Sequence, residues 1–190
     1  MALRGFGGIQ TLTGTAQPVY GTALTADAVI NPDQYTGSIG TGSNQSTAIL
    51  SVTAGTAGRF RVGDRVVIGS AAQLEQGNTT SIDGGGVIAV NAAGNTITVQ
   101  GLQRSHNSGE FVALSLPVSS FSVQVISASS SVYIGEDPTV GYASTTLFQE
   151  FSAAGIFQYG ESNIANVLDV SNLWINGGAG SQYIASINKV

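Results

Sequence analysis

Two quotations from the stretch Phe60 to Leu116 decide the fold of this 190-residue chain. Phe60–Gly69 reads FRVGDRVVIG, and beyond a polar loop Gly84–Leu114 reads GGGVIAVNAAGNTITVQGLQRSHNSGEFVAL. Phe60, Val62, Val66 and Ile68 share one parity, while Arg59, Arg61 and Arg65 share the other. Apolar and charged residues in alternation mark a half-buried strand, because successive side chains leave opposite faces of the pleat. Gly63-Asp64 is where that strand should bend, since glycine tolerates positive φ and aspartate bonds its own backbone. Val87, Ile88 and Val90 lead into Asn91–Asn95, and Ile97 and Val99 follow. Two β-rich runs joined by a short glycine-containing turn make a hairpin. Phe111, Val112, Leu114 and Leu116 supply the next strand, stopped at Pro117, which has no N–H for a ladder. Together these elements predict a small β-barrel of SH3-like or OB-like size.

Outward from this unit, Ala48–Val52 reads as its opening strand, with a turn at Gly55–Gly58. Residues 1–47 are rich in Gly, Thr, Ala and Ser, with turns at Asn31-Pro32-Asp33 and Gly40–Ser43. Short β-prone pieces occur at Ile9–Leu12 and Ala28–Ile30, too few for an independent core. This segment reads either as a loosely structured leader or as an extended arm that orders on a partner. On the other side, Phe121, Val123 and Val125 alternate with Ser and Gln, and Ser131–Ile134 precedes the turn Gly135–Pro138. Leu147, Phe148 and Phe151 fit a helix face or a strand equally. Ile156–Tyr159 and Leu168–Ile175 read as strands, Asn176–Gly180 as a hairpin turn, and Tyr183, Ala185 and Ile187 as a closing strand. Such a meander of short strands predicts a sandwich. The expected organisation is all-β: an N-terminal arm over 1–47, a β-barrel over 48–117, and a second antiparallel sandwich-like unit over 118–190.

Composition agrees with an all-β chain and narrows its chemistry. Glycine is 26 of 190, about twice average usage, and charged residues are 9% against 42% hydrophobic. A surface of Ser, Thr, Asn and Gln in place of Lys and Glu suits a chain packed against other subunits. Cysteine is absent and histidine occurs once, which excludes disulfides, thiolate metal sites, a cysteine nucleophile and a histidine-based zinc site. The start MALRGFGGIQTL lacks the apolar core of a signal peptide, and no apolar run reaches membrane-spanning length. A soluble protein made in a cytoplasm is expected, with no membrane partner. Net charge is −5 with a pI near 4.5. That argues against direct nucleic-acid binding, which phosphate neutralisation dominates.

Catalytic and ligand-binding motifs find little support. His106, in Arg104–Glu110 (RSHNSGE), reads as part of a polar turn, and no G-x-S-x-G elbow accompanies it. Glu110, Glu136, Asp137, Glu150 and Glu161 supply carboxylates for glycoside hydrolysis, without the aromatic cleft that sugars require. Asp83–Gly86 lacks the Lys and Ser/Thr of a phosphate loop and reads as a turn. No D-x-[DN]-x-[DN]-G calcium register occurs. The expectation is no catalytic residue, no cofactor and no metal. The long loop Ser70–Gly86 is where binding function would sit on such a scaffold. Arg59, Arg61 and Arg65 form a cationic cluster, either a solvated outer face or a stripe that docks on an acidic protein surface through bidentate carboxylate contacts. Trp174, between Leu173 and Ile175, reads as core, with an interface anchor as the other reading.

The opening MALRGFGGIQTLTGTAQPVYGTALTA, the barrel segments FRVGDRVVIG, GVIAVNAAGNTITVQGL and HNSGEFVAL, the strand SVYIGEDPTV and the closing NLWINGGAGSQYIASI cover most of the chain. In texture they resemble virion structural proteins of tailed bacteriophages, particularly capsid decoration (cement) proteins. The resemblance implies a non-enzymatic, β-rich homo-oligomer, often a trimer and sometimes a dimer, bound between major capsid protein subunits. It implies a place on the capsid surface of the virion after synthesis in the host bacterial cytoplasm, where such proteins brace the shell against genome pressure. No matched motif transfers a residue role, and Arg59, Arg61 and Arg65 stand as capsid-interface candidates on their charge alone. The alternative from the same style of chain is a head-fibre, tail-fibre or baseplate β-module that binds a host-surface glycan.

Overall fold

Val, Ile, Thr and aromatic residues in short alternating runs, cut by Gly and Asn, give an almost wholly antiparallel β structure. The computed structural model describes residues 3–31, 46–75, 83–118, 120–141, 147–160 and 168–188. Its first strands are β1 (Leu3–Gly5), β2 (Gln10–Thr11), β3 (Gln17–Pro18), β4 (Gly21–Ala23) and β5 (Thr47–Ser51). The central ones are β6 (Arg65–Gly69), β7 (Asp83–Asn91), β8 (Thr96–Gln100), β9 (Phe111–Leu114) and β10 (Pro117–Val118). Then follow β11 (Ser120–Ser127), β12 (Val132–Gly135), β13 (Leu147–Phe151) and β14 (Gly155–Gly160). The chain closes with β15 (Leu168–Asp169), β16 (Trp174–Gly177) and β17 (Gln182–Asn188). One short helix, α1 (Ala71–Glu75), lies between β6 and β7. Two compact units result: Thr22–Leu114, and Met1–Gly21 together with Ser115–Val190. The segment read from sequence as residues 1–47 thus contributes to both.

The central unit is one sheet in the order β4-β9-β6-β7-β8-β5. Beyond its end strands Leu24 bridges Val52, with Thr25 N–H donating to Ser51 O at 2.9 Å and Thr53 N–H to Ala23 O at 3.1 Å. The sheet therefore curls until its ends meet, which buries Leu50, Val66, Ile68, Val87, Ile97, Val99 and Val112 inside. The expected hairpin is β7–β8, turning through Asn95 at φ 52°. Asparagine takes that left-handed conformation readily, and its Oδ1 also accepts the Gly55 N–H at 2.7 Å.

Three details differ from the sequence reading. The strand expected from Phe60 begins only at Arg65, because a 3-10 turn at Ala57–Arg59 and Gly63 at φ 92° interrupt the extended backbone. Asp83–Gly86 is not a turn but the start of β7, paired with β6 in the register Val66↔Gly85. A Cβ on Gly85 would lie 2.4 Å from Gln100 O, so the missing side chain lets the backbones approach closely. The loop Ser70–Gly86 is correspondingly shorter, with α1 at its start; residues 76–82, like the turns at Pro32-Asp33 and Gly40–Ser43, lie outside the described residues.

The other unit is sandwich-like, with two larger sheets, β1-β17-β11-β14 with β2 added on β17, and β13-β12-β16-β3, and the short pair β10-β15. Phe121, Val123 and Val125 point inward from β11, as do Tyr183, Ala185 and Ile187 from β17, all 1% exposed or less. Leu147–Phe151, compatible with helix or strand from sequence, is the strand β13. Asn176–Gly180 is not a hairpin turn: β16 pairs with β12 and β3, β17 with β11, β1 and β2, so the chain crosses between sheets there. Trp174 is fully buried, in agreement with its reading as core.

Residues 3–21 belong to this sandwich. β1 and β2 pair with β17, and β3 pairs with Trp174-Ile175. Phe6 packs edge-on to Tyr20 at 5.3 Å, and both are fully buried. The Tyr20 hydroxyl donates to Ser186 O at 2.8 Å. Burial, with Tyr183 nearby, pushes the Tyr20 hydroxyl's pKa well above the usual tyrosine value.

Candidate functional site

The turn from Arg59 to Arg65 presents the cationic cluster. Arg59 ends the 3-10 turn and is half-buried, Arg61 is exposed in the following turn, and Arg65 is exposed at the start of β6. Asp64 Oδ2 accepts the Arg61 N–H at 2.8 Å, and the Gly63 N–H donates to Val87 O at 2.8 Å. These bonds fix the tip of the turn against β7. Val62, placed inward by parity, stands instead at the tip with 68% of its surface exposed. The outcome is an apolar side chain flanked by two exposed arginines. Three of the chain's six cationic residues lie within this arc, in a molecule of net charge −5.

His106 is the second place where chemistry could gather. It is not in a solvated turn but 3% exposed, its backbone bridged to Ala28 through bonds of 2.8 and 2.9 Å. Its Nδ1 lies 2.8 Å from Glu110 Oε2 and its Nε2 lies 3.3 Å from Asp83 Oδ2. Asp83 Oδ2 also accepts the N–H groups of Gln103 and Arg104 at 2.8 and 3.0 Å. A general base needs one ring nitrogen facing its substrate. Both nitrogens of His106 face carboxylates, so the cluster anchors the 101–110 connection onto β7. Of the acids considered for sugar chemistry, Glu110 is committed to this cluster, Glu136 is exposed, Glu150 is half-buried, and Glu161 lies outside the described residues. Among the described residues no group of His, Asp or Glu is arranged to hold a metal ion, and no helix is long and apolar enough to cross a membrane.

The sandwich contributes a third feature that parity did not single out. Ser120 and Ser122 on β11, Gln158 and Gly160 on β14, and Ser186 on β17 floor an open groove of about 590 Å³. Ser122 and Ser186 hydroxyls lie 2.6 Å apart across it. The signal for it was in the strands themselves, where Ser120, Ser122, Gln158, Gly160 and Ser186 alternate with the apolar set.

No protein-family model matches this chain, and no curated protein sequence matches it. Among solved structures it is similar to VP17, a capsid protein of bacteriophage P23-77, at a TM-score of 0.24 and 10% identity over 97% of this chain and 77% of that chain. A score of that size is below what a shared fold produces.

Proposed function

We propose that this chain is a non-enzymatic structural protein of a phage virion, a decoration (cement) protein that binds between major capsid protein subunits at the capsid surface. The observation that carries the reading is Val62, 68% exposed at a backbone-fixed turn between Arg61 and Arg65. An apolar tip costs free energy in water and is stabilised when a partner covers it, while flanking arginines select an acidic rim by bidentate pairing. Ile49, on the outer face of β5, is 60% exposed and adds apolar area on the same unit. Texture supports the same reading: few charges and many hydroxyls and amides. Each contact is modest, and shell symmetry multiplies them into avidity.

The test is co-sedimentation of the purified chain with empty heads of its own phage. Binding in fixed ratio to the major capsid protein, lost in the Arg61→Glu/Arg65→Glu variant and weakened by salt, is expected. Heads that sediment without the chain would contradict the proposal. The alternative, a glycan-binding module, is favoured by the groove over Ser120, Ser122, Gln158 and Ser186, whose hydroxyls and amide suit sugar hydroxyls. Glycan-array binding that disappears in Gln158→Ala would move it to the front.

A further inference from the structure

A sheet edge exposes a row of backbone donors and acceptors, and monomeric proteins guard such edges with short strands, charges or proline. Among the described residues the two larger sheets of this unit have five edge strands. β1 is three residues long and β2 two; β3 is two residues long and ends in Pro18; β13 carries the half-buried charge of Glu150. β14 has none of these devices. Its six residues, Gly155–Gly160 (GIFQYG), hold no charge and no proline, and it ends its sheet beside β11. Stacking stiffens it, since Phe148 lies parallel to Phe157 at 5.9 Å and Phe121 parallel to Tyr159 at 5.3 Å. Ile156, on its outward face, is 58% exposed.

We propose that β14 is a homodimer edge, pairing antiparallel with β14 of a second copy about a two-fold axis through Gln158. Two-fold pairing requires residues of like parity to face one another, so that inward faces inward on both copies. The register centred on Gln158 satisfies this and is self-complementary. Phe157 faces the partner's Tyr159, continuing the aromatic cluster across the axis; the bulky Ile156 faces the partner's Gly160, which has no side chain to clash; and Gln158 faces its own copy, amide to amide. Aromatic cross-strand pairs are favourable, and both backbone edges are satisfied at once. The sheets of two molecules become one. This oligomer is a dimer, in contrast to the trimer favoured by the resemblance to cement proteins, and it does not depend on the virion reading.

The 190-residue chain contains no cysteine, so single substitutions make clean reporters. In antiparallel pairs facing Cα atoms are about 4.5–5.5 Å apart, within the range of about 4.4–6.8 Å that a disulfide spans. Gln158→Cys is therefore expected to cross-link quantitatively under mild oxidant into a species of twice the 19.2 kDa chain mass. Ile156→Cys serves as control: in this register it is four residues from its own copy, about 13 Å along the strand, and should stay uncross-linked. Mixed with Gly160→Cys it should form a heterodisulfide. The unmodified protein should sediment as a dimer, and Gln158→Lys, which sets like charges opposite each other, should shift it to monomer. A monomeric or trimeric native mass, or cross-linking of Ile156→Cys as complete as that of Gln158→Cys, overturns the proposal.

Discussion

The Tyr183 hydroxyl donates to Gln10 Oε1 at 2.6 Å, joining side chains 173 positions apart in the buried interior of the sandwich. Gln10 in turn donates through Nε2 to Phe6 O at 3.1 Å, and Gln17 Nε2 donates to the same Tyr183 oxygen at 3.2 Å. The first strands of the chain are thus tied to its last by a polar network inside an apolar core. A buried acceptor left without its donor loses hydration and gains nothing in return. Tyr183→Phe should therefore lower unfolding free energy by about 1–3 kcal/mol. Urea denaturation with an unchanged midpoint would show that the network carries no weight.

Residues 3–24 should resist protease in the isolated protein. Phe6, Leu12, Val19, Tyr20 and Leu24 are each 2% exposed or less, and the short strands β1, β2, β3 and β4 that punctuate this segment are each paired in sheets. Cleavage needs an extended, accessible segment, which a paired strand does not offer. Limited proteolysis followed by mass determination should find no cut between Phe6 and Leu24 under native conditions. Early cleavage there, relieved only on assembly, would contradict this and support the extended-arm reading.

Alkaline pH should weaken the sandwich through Tyr20. Its folded-state pKa is raised, chiefly by desolvation and then by Tyr183, so the folded protein holds the proton after the unfolded chain has released it. Stability from this group is complete below the unfolded pKa of about 10 and is lost as pH climbs beyond it. Denaturation midpoints should fall above that value, with phenolate absorbance of one tyrosine appearing only on unfolding. In Tyr20→Phe the alkaline decline should be shallower.

Gly85 and Gly84 should respond differently to alanine. A Cβ at Gly85 would meet Gln100 O at 2.4 Å and the Val99 side chain at 2.5 Å, and neither the ladder nor the buried valine can retreat freely. At Gly84 the nearest atom is Val66 O at 3.6 Å, an ordinary contact. Gly85→Ala is expected to cost about 1–3 kcal/mol as overpacking, with Gly84→Ala close to neutral. Equal thermal midpoints for the two variants would contradict the close approach of β7 and β8.

Much of the architecture is legible in alternation. Phe121, Val123 and Val125 declare the inward face of β11, and Asn91–Asn95 declares the β7–β8 turn, because period two and a glycine-rich turn are local properties. What escapes is set by partners far along the chain. Phe6, Leu12 and Tyr20 are sparse among Gly and Thr, and their burial depends on β17 and β11 more than a hundred residues later. Gly84–Gly86 reads as a turn because nothing local reveals that β6 and β8 flank it closely. Val62 follows the parity of Phe60, yet Gly63 at φ 92° breaks the strand between Val62 and Val66 and turns its side chain to solvent. His106 reads as solvated because Asp83, which closes the cluster opposite the neighbouring Glu110, is brought to it from the start of β7. The arginine cluster was legible as charge; its apolar tip was not.

The most direct test of the proposed cement role is the thermal release of genome from virions that carry this chain, prepared with and without it. A cement protein raises the temperature at which heads open, and adding the purified chain back to deficient heads should restore it. The Arg61→Glu/Arg65→Glu variant should fail to do so. Virions that lack the chain yet retain their genomes to the same temperature would contradict a stabilising role on the capsid.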